Sequence, residues 1–322
     1  VQIFRQLGDV PAGFGPSVAV IGNFDGVHAG HQWVMRDAVA TARARGMKAV
    51  AVTLEPHPMR VLRPEVAPKL ITPLDEKLAL LEATGLDAAL VLPFTTQVAA
   101  WSAEEFTQKV LRDALHAAEV HEGENFRFGH DARADVNDLA AMGREMGFTV
   151  RVNTPLVVRG ISISSSRIRE LVQAGDVERV RPLLGRAFCI RATPAQGRGY
   201  GTRYTVPTIN LSAYNELLPG NGVYITCMQV GDGAQAEKFD AVTNVGNRPT
   251  FGADSFTVES HLLNFHPLEL QPETPLTLTF LKRLREEKRW PSPEALREQI
   301  ARDVSQAERY FRLLHCVARH TQ

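Results

Sequence analysis

Cysteine is scarce in this chain. There are three in 322 residues, Cys189, Cys227 and Cys316, odd in number and far apart. That argues against a disulfide framework and against a cysteine-based zinc site, and points to a cytosolic protein. Net charge is also absent: 36 basic side chains balance 36 acidic ones. Nothing global therefore draws the chain to nucleic acid or to an anionic membrane. No apolar run is long enough to span a bilayer, although 44% hydrophobic residues suffice for packed cores. Residues Val1 to Gln6 show no basic region leading into an apolar stretch, so no secretory leader is expected. Internal repeats and low-complexity tracts are missing too. So are two phosphate-binding signatures. Gly-x4-Gly-Lys-Ser/Thr occurs nowhere, and the glycine-rich Gln196–Gly201 does not complete Gly-x-Gly-x-x-Gly, because Thr202 stands where the last glycine belongs.

What is there divides in two. The length favours two domains, and the pattern changes near Gly185. Before it, apolar strands alternate with amphipathic helices: strands at Val18–Ile21, Lys48–Leu54, Ala88–Leu92 and Thr149–Val152, and helices at Leu74–Thr84 and at Ala103–Leu115 behind a Ser102 cap. Alternation of this kind predicts a parallel α/β sheet. After it come short alternating strands punctuated by Gly and Pro: Ala187–Ile190, Gly222–Met228, Phe239–Val242, Thr257–Leu263 and Leu276–Phe280. They predict a small antiparallel β-barrel. A helix follows from the Ser292 cap to about Cys316, with Leu296, Ile300, Val304, Ala307 and Phe311 on one face. The expected domains are 1–183 and 184–322.

The first half carries its chemistry where a strand turns into a helix. Gly22-Asn23-Phe24-Asp25-Gly26-Val27-His28-Ala29-Gly30-His31 follows an apolar strand and opens a helical segment. Histidines three apart share a helical face, and a helix N-terminus attracts phosphate. Two imidazoles there can stabilise charge that develops during phosphoryl or nucleotidyl transfer. The bland alternative is a turn whose histidines only cap the helix. Far downstream, Ser164-Ser165-Ser166-Arg167-Ile168-Arg169 offers hydroxyls and guanidiniums for a second phosphate grip. In the second half, Thr208 and Asn210 lie two apart on an extended segment and so face one side, as oxygen ligands suited to Mg²⁺ on ATP phosphates. Glu259 and His261 likewise share a face of a mostly neutral strand, and Glu259 is a candidate general base.

The first motif resembles the His-x-Gly-His signature of nucleotidyltransferases. Together with Glu55-Pro56-His57-Pro58, Gly123–Gly129, Pro207-Thr208-Ile209-Asn210, Gly222-Val223-Tyr224, Asn244–Phe251, Val258-Glu259 and Leu284–Lys288, it makes the whole chain resemble the bifunctional prokaryotic riboflavin kinase/FMN adenylyltransferase family, also called FAD synthetases. The resemblance implies a Rossmann-like nucleotidyltransferase domain followed by a barrel-shaped kinase domain. It implies that riboflavin is phosphorylated to FMN with ATP and Mg²⁺, then adenylylated to FAD with release of pyrophosphate. An enzyme with only the second activity, or an inactive flavin-binding regulator, is the alternative.

The family pattern also implies roles. His28 and His31 stabilise charge at the α-phosphate. Gly22, Asn23, Phe24, Asp25 and Gly30 line the nucleotide, and Ser165, Ser166 and Arg169 hold the outer phosphates. In the kinase, Glu259 takes the hydroxyl proton, Thr208 and Asn210 hold metal and phosphates, and Gly197 and Gly199 lie along ATP. Pro56, His57, Pro58, Asn125, Arg248, Arg285 and Glu286 fall to the flavin. Ile209 replaces the family's usual alanine, so local repacking is expected. Asn264–Leu270 replaces an acidic Asp-Leu-Tyr-Gly segment. A monomer or weak homo-oligomer that uses no nucleic acid and no membrane is expected.

Overall fold

The computed structural model describes residues 1–195, 208–247 and 256–320. They form two compact units, Val1–Ser165 and Ser166–Gln322.

The first unit is built on six parallel strands: β1 (Gln2–Phe4), β2 (Ser17–Ile21), β3 (Lys48–Glu55), β4 (Ala88–Pro93), β5 (Ala117–Gly123) and β6 (Thr149–Asn153), in the order β1-β4-β3-β2-β5-β6. The central strands are near-continuous apolar runs because both faces of the sheet are covered. Val18, Val20, Ala49, Ala51 and Ala89 pack beneath α1 (Ala29–Ala44) and α2 (Leu74–Glu82). Ile21, Val52 and Leu90 pack on the other side with Phe106, Val110 and with Leu139 of α3 (Val136–Met146). The order reverses at β2, which has β3 on one side and β5 on the other. Ligands of such sheets bind beyond the carboxyl ends of the strands at that switch. The turn Gly22–His28 leaves β2 there.

The Ser102 cap is present as a capping box with Glu105. Beyond Phe106, however, the expected helix winds as a π-helix over Thr107–Ala114. The wider winding still buries Thr107, Val110 and Leu111 on the sheet. The short edge strand β1 and the central strand β5 are not among the strands that the sequence pattern predicts.

The second unit begins at Ser166, one residue into α4 (Ser165–Gln173), and continues with α5 (Val177–Leu184), ahead of the expected boundary at 183/184. Both helices pack with the barrel: Arg283 donates to the Ala174 carbonyl at 3.2 Å, and Tyr224 donates its hydroxyl to Gly220, the glycine whose own N–H bonds the Val172 carbonyl. Six antiparallel strands follow: β7 (Phe188–Ala192), β8 (Thr208–Asn210), β9 (Gly222–Val230), β10 (Glu237–Asn247), β11 (Phe256–Leu262) and β12 (Leu276–Glu286), in the order β7-β12-β9-β10-β11-β8. The two edges meet beyond β7, where Ala195 donates to Asn210 and Ser212 to Thr193, both at 2.8 Å. That contact curls the sheet into the expected barrel. Tyr224, Met228 and Phe280 fill its interior, beside a row of buried hydroxyls on Thr226, Thr243 and Ser260.

The closing helix α6 runs Pro293–His320, with the Ser292 hydroxyl accepting from the Ala295 N–H at 3.2 Å. Val304, Ala307 and Phe311 pack on Val223, Ile225 and Val242 as the apolar stripe predicts. Leu296 and Ile300 do not close onto the sheet. They stay 40% and 45% exposed, because a cavity separates that end of the helix from the strands.

Candidate active sites

The turn from β2 into α1 is tightly held. Phe24 and Val27 adopt positive φ angles of 48° and 36°, costly for bulky and β-branched residues. Both side chains are buried, and several anchors from distant elements fix the conformation. The Asp25 carboxylate accepts from the N–H groups of Ile71 and Thr72 at 3.0 Å. The Asn23 carbonyl accepts from Thr53 Oγ1 at 3.2 Å and from Lys77 Nζ at 3.3 Å. Ser165 Oγ donates to the Asp25 carbonyl at 2.9 Å, which joins the second motif to the first. Beneath the turn, Glu122 Oε1 accepts from the Ile21 N–H at 2.6 Å, where the backbone pairing of β2 with β5 has ended at Val20. Burial pushes the Glu122 carboxyl well above the usual carboxylate range.

His28 is the N-cap of α1. Its Nδ1 accepts from the His31 N–H at 3.2 Å, which leaves the proton of the neutral ring on Nε2. The capping alternative is thus true of His28 and compatible with a second role. The two imidazoles stack with centroids 3.5 Å apart and 16° between planes, and Phe24 meets the His31 ring edge-on. Burial first, then His28 and Lys77, hold His31 well below the usual histidine range. Its Nδ1 is buried with no hydrogen-bond partner. The site therefore presents a neutral His31 ring at a helix N-terminus, suited to donate to an oxyanion, rather than a pair of imidazoliums.

Gly30 completes the spacing. A Cβ there would sit 3.3 Å from the His28 ring. Gly30→Ala is favoured by helix propensity by up to about 1 kcal/mol, so thermal stability should hold. Displacing the imidazole should still lower FMN adenylylation by about tenfold, since small misplacements of positioned groups are costly. Melting curves beside steady-state FAD formation check this.

The flavin-side residues expected in this half also lie at the carboxyl ends of central strands. Pro56, His57 and Pro58 follow β3, where His57 caps a short helix by accepting from the Met59 N–H. Asn125 is exposed in the turn after β5. Ser166 and Arg169 belong to α4, in the second unit. Sequence reasoning missed Lys77, Thr53 and Glu122. The signal for Lys77 was a charge between Leu74 and Leu78 on an otherwise apolar helix face; for Glu122 it was a carboxylate inside a buried strand.

In the second unit the strand register lays the site out in rows. Asn210 pairs with Glu259, Glu259 with Asn244, Asn244 with Val223, and Val223 with Arg285. Directly opposed residues share a face, so all five point to the α6 side. The adjacent row carries Thr208, His261 and Val242. A cavity of about 430 Å³ lies over this face, with Thr208, Asn244, Glu259 and His261 on its polar side and Trp290, Leu296 and Ile300 on its apolar side. Thr208 Oγ1 lies 3.3 Å from His261 Nδ1, and burial lowers the His261 pKa below the usual histidine value. Ile209 points the other way and is fully buried, so its bulk is absorbed by the barrel interior and leaves Thr208 and Asn210 in place.

Two flavin-side expectations change in detail. Arg285 lines the cavity, but its guanidinium is bound to the buried Asp303 of α6 at 2.9 Å. Glu286 alternates to the opposite side and is 85% exposed; its neighbour Glu287 lines the cavity instead. Gly197, Gly199 and Arg248 lie outside the described residues, as does Pro207.

A family model described as FAD synthetase matches residues 12–167, and one described as riboflavin kinase matches residues 184–311. A bifunctional riboflavin kinase/FMN adenylyltransferase from Pseudomonas fluorescens is 33% identical over 308 residues, covering 95% of this chain and 97% of that one. The protein of the same description from Escherichia coli K12 is 30% identical over 297 residues, covering 92% and 93%. Among solved structures, one named a macrolide-efflux protein from Streptococcus pneumoniae superposes with a TM-score of 0.82 at 26% identity, over 95% of this chain and 98% of that one. No helix among the described residues is long and apolar enough to cross a membrane. With a His-x-Gly-His turn at the sheet's switch point, a carboxylate facing a cavity on a six-stranded barrel, and relatives matched along nearly their whole length, the chain belongs to the bifunctional riboflavin kinase/FMN adenylyltransferase family.

Proposed function

We propose that this chain makes FAD in two steps at two sites, with the residues below in the working roles. In the barrel, Glu259 takes the proton of the riboflavin 5′-hydroxyl as that oxygen attacks the γ-phosphorus of ATP, giving FMN and ADP. Thr208 and Asn210 are hard oxygen donors on one face, beside the Glu259 carboxylate, and this donor set fits Mg²⁺. They would hold the ion, which when bound neutralises phosphate charge. The apolar wall at Trp290, Leu296 and Ile300 suits the flavin ring. The observation that carries this reading is the row that sets Asn210 beside Glu259 and Asn244, of which Glu259 and Asn244 line the cavity.

In the first unit, an FMN phosphate oxygen attacks the α-phosphorus of a second ATP and pyrophosphate leaves. His28 Nε2–H, the His31 ring and the first N–H groups of α1 receive the charge that builds on the α-phosphate. Gly22 to Asp25 shape the nucleotide side, and the Ser165–Arg169 motif supports a grip on the outer phosphates. The Pro56–Pro58 and Asn125 turns flank the same crevice and suit the flavin. The sparse, scattered cysteines support a cytoplasmic enzyme, and the reading takes it as a monomer or weak homo-oligomer.

The two activities should separate by truncation, and the packing says where to cut. Residues 166–322 should fold and convert riboflavin to FMN with ATP and Mg²⁺. Residues 184–322 should do so with lower stability. They lack α5, whose Val177, Val180 and Leu183 are buried, at about 1.5–3 kcal/mol for each fully buried side chain. Chromatography of flavin products and thermal melts of both fragments test this. A folded 166–322 fragment without kinase activity would sink the modular assignment.

A further inference from the structure

Lys77 is not among the residues that the motifs pick out, yet its placement is unusual. It sits on α2 with its side chain 7% exposed. Lysine is rarely buried without a purpose for its charge. Its Nζ donates to the Asn23 carbonyl at 3.3 Å and to Thr53 Oγ1 at 3.2 Å, and faces Glu55 Oε2 at 3.6 Å. Thr53 donates to the same carbonyl. The ammonium thus closes a small network directly under the residue that precedes the two strained positions of the turn.

We propose that Lys77 is a positioning residue for adenylyl transfer: its ammonium clamps the Asn23 carbonyl so that the Gly22–His28 turn holds its strained form and seats the two imidazoles. The proposal rests on the role assigned to His31. Two properties of the site support it. Phe24 and Val27 store backbone strain that relaxes unless the turn is held, and Asn23 begins that stretch. In addition, after burial and then His28, Lys77 lowers His31. Lys77 itself is pulled down by burial, against which Glu55 and Asp25 favour its charge. Burial is the main cause that keeps the His31 imidazole neutral, with the Lys77 charge acting in the same direction, and the held turn aims that ring as a donor to an oxyanion as charge forms. Lys77 does not touch the reacting atoms; it acts through the turn and through His31.

The test uses the full-length enzyme. Lys77→Met keeps length and removes charge. FAD formation from FMN should fall about tenfold to a hundredfold in kcat, with riboflavin phosphorylation unchanged. The His31 imidazole resonance should titrate at higher pH than in the parent, a shift that a merely structural lysine would not cause. In a double-mutant cycle, His31→Ala with Lys77→Met should be little worse than His31→Ala alone, because both remove one function. Additive losses, an unmoved His31 titration, or parent-level FAD formation would overturn the proposal. Should Lys77→Met not fold, Thr53→Val removes the shared hydroxyl without removing the charge. It should lower FAD formation severalfold with the His31 titration in place, and parent-level activity in that variant would count against the clamp. If His31→Ala itself leaves FAD formation intact, the role of His31 fails, and that result is read independently of Lys77.

Discussion

His31→Ala should all but abolish FAD formation while FMN still accumulates from riboflavin. The ring removed is the neutral imidazole proposed as a donor at the α1 N-terminus, and its buried Nδ1 has no partner among the described residues. Loss of one such preorganised donor typically costs about a hundredfold or more in rate, or about 2.7 kcal/mol of transition-state stabilisation. The loss should appear in kcat more than in KM, because the donor matters most when charge has developed. The His31 backbone N–H that caps onto His28 survives the substitution, so the helix start should hold and melting should change little. Unchanged FAD synthesis from supplied FMN would reject the assignment.

Glu259→Gln should have the converse signature. The amide keeps the shape of the side chain in the row with Asn210 and Asn244 but cannot take the hydroxyl proton. Positioned bases contribute about 10²–10⁴-fold, so riboflavin phosphorylation should fall at least about a hundredfold while FMN adenylylation continues. A parallel fall in both activities would instead indicate damage to folding. The two variants together form a crossed pair, each silent in the other's reaction, when riboflavin and FMN are supplied separately and products are resolved by chromatography.

The parts of this molecule that the sequence disclosed are those encoded over a few neighbouring residues. The His-x-Gly-His spacing places two rings one helical turn apart whatever surrounds them, and the structure stacks them as neighbours. The alternation of Thr208, Ile209 and Asn210 sets two polar side chains on one face and the isoleucine inside, and the structure has that alternation despite the unusual isoleucine. Glu286 shows the limit of the same rule: a period of two made Arg285 and Glu286 face opposite ways, so both could not serve one cavity. The rest depended on contacts distant in sequence. Nothing local says that Lys77 reaches Asn23, that Glu122 takes over the pairing of Ile21, or that Asp303 on α6 binds the Arg285 guanidinium. The winding change after Phe106 was equally hidden, because the same apolar residues face the sheet in either helical form.

The row of opposed residues across the barrel has one more consequence, for folding. A slip of β11 by one residue against β10 would exchange its faces completely. Glu259 would then point among Tyr224, Met228 and Phe280, and Ser260 would leave the buried hydroxyl row for the surface. An unpaired carboxylate in that interior costs several kcal/mol, so the base itself disfavours every odd shift of its own strand. An even shift keeps Glu259 outside but parts it from Asn210 and Asn244. If Glu259 is the base proposed above, catalysis and correct alignment become one condition on this strand, because only the native register sets it beside both Asn210 and Asn244.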